Sequence, residues 1–267
     1  MRSSTDAGPL CRQLTAGEGP AVLVADFQAF NGAPRLGQLL SDTAAGQRVY
    51  QLEPLGALSG ERLYASLQEM ADESAAAFCS FEASEATDQR VFVVGHCGAT
   101  GLGMRIANLL AGAREVTAIL VQPSWPGTEH VAARFAEFQG KLGADSSPCP
   151  DLEGDPWDCV AGIEKIFRAG LVELAAQLDL DPDHLSFTTL LGTYRGWVSF
   201  LLACRNDQPA QAPSDAVTVS VLTDEPDFVL PGTSPGRCRV TPPPPLDRPD
   251  AVTPELAKLV LDQITSC

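Results

Sequence analysis

The chain has 267 residues, 45% of them apolar, which is enough for one large α/β domain or two small ones with a sizeable core. Its formal net charge of −16 argues against nucleic acid and anionic membrane surfaces as partners, since both are recognised by basic patches. No stretch reads as long and apolar enough to span a bilayer, and Met1-Arg2-Ser3-Ser4-Thr5-Asp6 has no apolar signal core behind it. The eight cysteines are scattered, with no C-x-x-C pair and no His at zinc-finger spacing. They read as reduced thiols of a cytoplasmic protein, with no metal site and no cofactor expected.

In chain order, residues 1–19 read as a polar, irregular lead-in. Ala21-Val22-Leu23-Val24-Ala25 is a buried strand, followed by a loop from Asp26 to Ala33 and a helix starting at Pro34. Arg48-Val49-Tyr50-Gln51-Leu52 is the next strand. Ser59 is a plausible N-cap for a long helix through Phe78, with Leu63, Leu67, Met70 and Ala71 at helical spacing. Val91-Phe92-Val93-Val94 is a β-branched, apolar run. It meets Gly95-His96-Cys97-Gly98-Ala99, and Leu102 to Ala111 then reads as a helix. Val116 to Val121 is another buried strand. The repeated strand–helix pattern with unbroken apolar strands specifies a parallel sheet covered on both faces.

From Thr128 to Arg205 the strands stop, and helical runs appear over 130–142, 159–178 and 184–204. An all-helical insertion between strands of a parallel sheet reads as a lid over the strands' C-terminal ends, where ligands bind in such sheets. The sheet resumes at Ala216–Leu222, and Arg237–Thr241 is a short last strand. Thr253 caps a C-terminal helix with Pro254 in its first turn. The expected organisation is therefore a core over 20–127 and 206–267, interrupted by a helical lid over 128–205.

Strand, sharp turn and helix around Cys97 form the context of a nucleophile elbow, usually G-x-S-x-G. Small flanking residues are required because the nucleophile sits on strained backbone pressed between strand and helix. The start of a helix also aims backbone N–H groups and a positive dipole end at the tip, which favours a thiolate there.

With the elbow and this strand order, the chain resembles the α/β-hydrolase superfamily. It looks most like the thioesterases that act on carrier-protein-bound polyketide and nonribosomal-peptide chains. Gly95-His96-Cys97-Gly98-Ala99 stands where that family carries G-H-S-x-G. Val221-Leu222-Thr223-Asp224-Glu225-Pro226-Asp227 stands where it carries a strand ending in G-x-x-D, and Pro254-Glu255-Leu256-Ala257 matches its last helix. Cys at the tip also resembles stand-alone Dieckmann cyclases, which release their chain by carbon–carbon bond formation.

The resemblance implies Cys97 as nucleophile, with backbone N–H groups of Gly98 and of Phe27 or Gln28 as the oxyanion hole. It implies Asp227 or Asp224 as the acid. The family's base, a His close to Pro243–Leu246, is missing, because no His follows His184. His130 is then the candidate base, His96 reads as a packed structural residue, and His184 as a solvated N-cap. The implied function is off-loading or cyclisation of a carrier-bound acyl thioester, with the acyl or peptidyl thioester and its carrier protein as partners. The alternatives are a non-covalent cyclase and a catalytically dead accessory protein on the same fold.

Overall fold

The computed structural model describes residues 10–27, 35–43, 46–53, 62–82, 90–142, 148–207, 211–245 and 251–266. They form two compact units. The sheet unit runs over Pro9–Glu53, Gln68–Trp125 and Asp207–Cys267, and the helical unit is built on Pro126–Asn206, joined by residues 62–67.

Seven strands make the sheet: β1 (Cys11–Thr15), β2 (Ala21–Ala25), β3 (Arg48–Leu52), β4 (Arg90–His96), β5 (Glu115–Val121), β6 (Val217–Leu222) and β7 (Arg239–Thr241). Their order is β1-β3-β2-β4-β5-β6-β7. Every pair is parallel except β1 with β3. The helices of this unit are α1 (Leu36–Thr43), α2 (Leu67–Glu82), α3 (Thr100–Leu110) and α7 (Pro254–Thr265). On one face Val22, Val24, Phe92, Val94, Ile119 and Val121 pack with Leu36 and Leu40 of α1 and with Leu256, Ala257 and Val260 of α7. Alternate residues of each strand share a face, so these even-numbered positions of β2 and β4 point together toward α1 and α7. Thr253 caps α7, its Oγ1 accepting the Leu256 N–H at 3.2 Å.

β1 lies inside the stretch expected to be an irregular lead-in, which is a correction. Cys11-Arg12-Gln13-Leu14-Thr15 has no β-branched run to signal a strand. Its conformation comes from pairing as an edge strand along β3, with Cys11 opposite Leu52 and the Glu53 N–H donating to the Leu10 carbonyl at 2.8 Å. The Cys11 thiol is pushed up to about 12, first by burial and then by the charges of Glu53 and Glu82. An unfolded thiol ionises near its ordinary 9.0. The stability Cys11 contributes is therefore complete below pH 9.0 and is lost as pH climbs from 9.0 to about 12. Denaturation midpoints followed across that window should fall more steeply in the wild type than in Cys11→Ala. Parallel curves would remove Cys11 as the cause.

A second correction concerns the helix expected from Ser59. Ser59 itself lies outside the described residues, but 62–66 are not helical and α2 starts at Leu67. The carbonyls that would enter an earlier turn are used elsewhere. Tyr64 O accepts from Ser199 Oγ at 3.4 Å and Ala65 O from Asn206 Nδ2 at 3.0 Å, which ties this segment to the helical unit.

That unit contains α4 (Thr128–Lys141), α5 (Pro156–Gln177) and α6 (Leu185–Asn206), inserted in the chain between β5 and β6. Its centre is aromatic. Phe138 stacks on Tyr194 with ring centroids 4.0 Å apart, and Phe167 contacts Phe135, Phe138 and Tyr194, so all three helices contribute. Asp155 caps α5 ahead of Pro156 by accepting the Trp157 and Asp158 N–H groups. Among the described residues no helix is long and apolar enough to cross a membrane.

Candidate active site

From Val91 to Val94 β4 is apolar and buried; it continues buried through Gly95-His96, and the chain then turns through Cys97–Ala99 into α3. Cys97 has φ 50°, a left-handed conformation that non-glycine residues rarely adopt. Its carbonyl explains how that strain is held. It accepts the Thr100 N–H, the Thr100 hydroxyl at 2.6 Å and the Ser124 N–H at 3.3 Å. The turn is also closed by contact. A Cβ on Gly95 would stand 3.1 Å from Thr100 Cα, and one on Gly103 would stand 3.1 Å from Gly95 Cα. Only glycine at both positions lets α3 lie this close to β4. Cys97 itself is half-buried.

Neighbouring strands bring three loops to the same edge. β2 pairs with β4 so that Ala25 lies opposite Gly95. Asp26 and His96 follow as the next pair, with His96 Nδ1 3.0 Å from Asp26 Oδ1 and both side chains buried. The other carboxylate oxygen, Oδ2, accepts the Leu36 N–H at 2.5 Å, at the first residue of α1. Phe27 follows Asp26 in the chain as Cys97 follows His96. Gln28 lies outside the described residues.

On the other side β5 ends opposite His96 at Val121, and Gln122 also takes a left-handed φ of 45°. The Gln122-Pro123-Ser124 stretch has no carboxylate. β6 ends at Leu222, and Trp125 stacks on Phe228 with centroids 6.0 Å apart, joining the loops after β5 and β6. Asp224 and Asp227 lie in that second loop, both exposed.

Cys97, Gly98, Phe27, Asp224 and Asp227 thus all belong to the C-terminal edge of one sheet. His130 is in the helical unit, in the first turn of α4, where its Nδ1 accepts the Gly127 N–H at 3.1 Å and its side chain is 49% exposed. His184 precedes α6 and accepts the Ser186 N–H at 3.2 Å. Pro242–Pro245, after β7, occupy the segment close to the missing base. Sequence reasoning missed Asp26. The available signal was a carboxylate ending an otherwise apolar strand, next to the strand that carries the elbow.

A central parallel sheet with a strand–elbow–helix at its middle and a helical insertion before the last strands is the α/β-hydrolase fold. No family model matches the chain, and no curated protein matches it. Solved structures do. The chain superposes over 97% of its length on the Vlm2 thioesterase domain bound with a dodecadepsipeptide, at TM-score 0.53 and 16% identity, covering 99% of that chain. It superposes over 95% on the NocB thioesterase domain in covalent complex with a fluorophosphonate nocardicin G analog, at TM-score 0.52 and 15% identity, covering 99% of that chain. A holo four-domain nonribosomal peptide synthetase with AMP and glycine aligns with 96% of the chain at TM-score 0.59 and 14% identity. The chain spans 20% of that synthetase. The fold is therefore the thioesterase-like form of the α/β-hydrolase fold.

Proposed function

We propose that the protein off-loads or cyclises a carrier-bound acyl thioester through Cys97. The observation that carries this reading is Cys97 held at φ 50° between β4 and α3 at the C-terminal edge of the sheet. Strain of this kind persists only where surrounding structure enforces it, and it presents a side chain outward from the turn. The Cys97 thiolate attacks the thioester carbonyl, and its carbon–sulfur bond forms as the pantetheine carbon–sulfur bond breaks. The departing thiolate takes a proton from water. The Gly98 and Phe27 N–H groups stabilise the oxyanion between the two events. An internal nucleophile of the bound chain then attacks the new thioester, loses its proton to water and expels the Cys97 thiolate. Exchange of one thioester for another is nearly balanced in energy, so the acyl group stays activated for that second step.

Asp224, Asp227 and His130 supply the candidates for an acid or base. His130→Ala with unchanged turnover removes His130 from the mechanism. One observation favours a second reading, in which the protein promotes cyclisation without a covalent bond: the chain has three His and none after His184. A water molecule attacking an acyl-enzyme needs a base, and none stands at the family's position.

Incubation with an acyl thioester of a pantetheine mimic, followed by intact mass and product together, tests both. The covalent reading expects an adduct on Cys97 that hydrolyses slowly and leaves faster when the acyl chain carries its own nucleophile. Cys97→Ala should lose adduct and product. Cyclised product from the Ala variant would favour the non-covalent reading, and binding without turnover by either protein would favour the accessory role.

A further inference from the structure

We propose that His96, held by Asp26, is a positioning residue that sets the nucleophile against the oxyanion-stabilising loop. The proposal rests on the acyl-transfer reading above and names the device that aligns its two halves. The segment after β2 carries the Phe27 donor, and the turn after β4 carries Cys97. Between them lies the Asp26–His96 pair, at 3.0 Å, one residue before each. The same carboxylate takes the Leu36 N–H at 2.5 Å. One buried side chain therefore fixes the end of β2 and the start of α1, and it holds His96, the residue preceding the nucleophile.

The pair has features that packing alone does not require. Asp26 is 0% and His96 3% exposed, so the hydrogen bond is shielded from water and shares its acceptor with a helix N-terminus. An acceptor carboxylate calls for the proton on Nδ1. The other ring nitrogen, Nε2, is buried and has no hydrogen-bond partner among the described residues. Leaving a buried polar atom unsatisfied is unfavourable, and an apolar side chain on this apolar face would avoid it. What the imidazole adds over an apolar side chain is the Nδ1 bond to Asp26. Oxyanion donors act only when they sit within a narrow distance of the developing charge, so a small slip of β2 against β4 would separate Phe27 and Gly98 from the reacting carbonyl.

Two rates on Cys97 separate this role from general support of the fold. Acylation by the pantetheine thioester develops an oxyanion, whereas alkylation by iodoacetamide, a displacement at saturated carbon, does not. His96→Asn places an amide N–H near the position of Nδ1 and can still donate to Asp26. His96→Gln is one methylene longer and cannot do so without displacing the strands. We expect His96→Gln to lose about 10²–10³-fold in acylation, the cost of one misplaced oxyanion donor, with Cys97 alkylation mapped by peptide mass unchanged. His96→Asn should recover most of the loss. Wild-type acylation by His96→Gln, or parallel loss of both rates, overturns the proposal. Should His96→Gln fail to fold, Asp26→Leu decides in the same way, since it is similar in size and accepts from neither His96 nor the Leu36 N–H. If the wild type itself is never acylated, the acyl-transfer reading fails and this role with it. If the wild type is acylated and His96→Gln matches it, only the positioning role fails.

Discussion

Cys97→Ser should be nearly inactive in acylation, although serine is the usual residue at the tip of this elbow. A serine hydroxyl is nucleophilic only when a base removes its proton during attack. The segment close to the usual base is Pro242–Pro245, and among the described residues His96 is committed to Asp26. A thiol needs less help, because it is intrinsically far more acidic than a hydroxyl and a fraction of it is ionised without a base. Loss of general-base assistance typically costs about 10²–10⁴-fold, and the Ser variant should lose at least that much relative to wild type in thioester acylation. The substitution is nearly isosteric, and the carbonyl bonds from Thr100 and Ser124 that hold φ at 50° do not involve the side chain. Melting temperature should therefore stay close to wild type. A Ser variant acylated within about tenfold of wild type would mean that a base is present, and substitution of Asp224, Asp227 and His130 in that background would find it.

The elbow could be read from sequence because its constraints are local. A β-branched run, two glycines spaced to admit a helix and a single reactive residue between them leave few other structures. The parallel character of the sheet was legible for a similar reason, since β2, β4, β5 and β6 are largely apolar. What escaped was non-local. The Asp26–His96 pair joins residues 70 apart in the chain, and neither has a neighbour that announces the other. β1 has no strand-forming run of its own and exists because β3 offers it an edge. The start of α2 was misplaced because 62–66 has helical spacing but spends its carbonyls on Ser199 and Asn206, more than 130 residues away. Periodicity reports which face a residue would bury and says nothing of a competing hydrogen-bond donor on a distant helix.

The largest loss of stability should come from the opposite end of the sheet, at Glu82. This last residue of α2 is 0% exposed and collects four donors. Arg48 gives Nε at 3.1 Å and Nη2 at 3.3 Å, the Tyr50 hydroxyl comes to 2.6 Å, and Arg114 Nη1 to 3.3 Å. Arg114 is partly exposed and can turn to water, but Arg48 is 2% exposed and cannot. Glu82→Ala would strand a buried guanidinium together with a buried phenol. Breaking a buried pair from one side costs about 3–5 kcal/mol, far more than an intact pair contributes over an apolar replacement. For a chain of this size, that corresponds to a fall of roughly 10 °C in the melting transition of the sheet unit. Replacing both partners, as Glu82→Leu with Arg48→Met, should recover a large part of the loss, because no uncompensated charge remains. Arg48 opens β3 and Arg114 precedes β5, so the cluster sits at the N-terminal edge of the parallel strands, whereas Cys97 stands at the C-terminal edge. At a temperature where Glu82→Ala is still folded, its Cys97 should react with iodoacetamide at the wild-type rate. A slowed thiol in the folded variant would show that the two edges of the sheet are coupled, and a melting transition that does not move would show that Arg48 finds another acceptor.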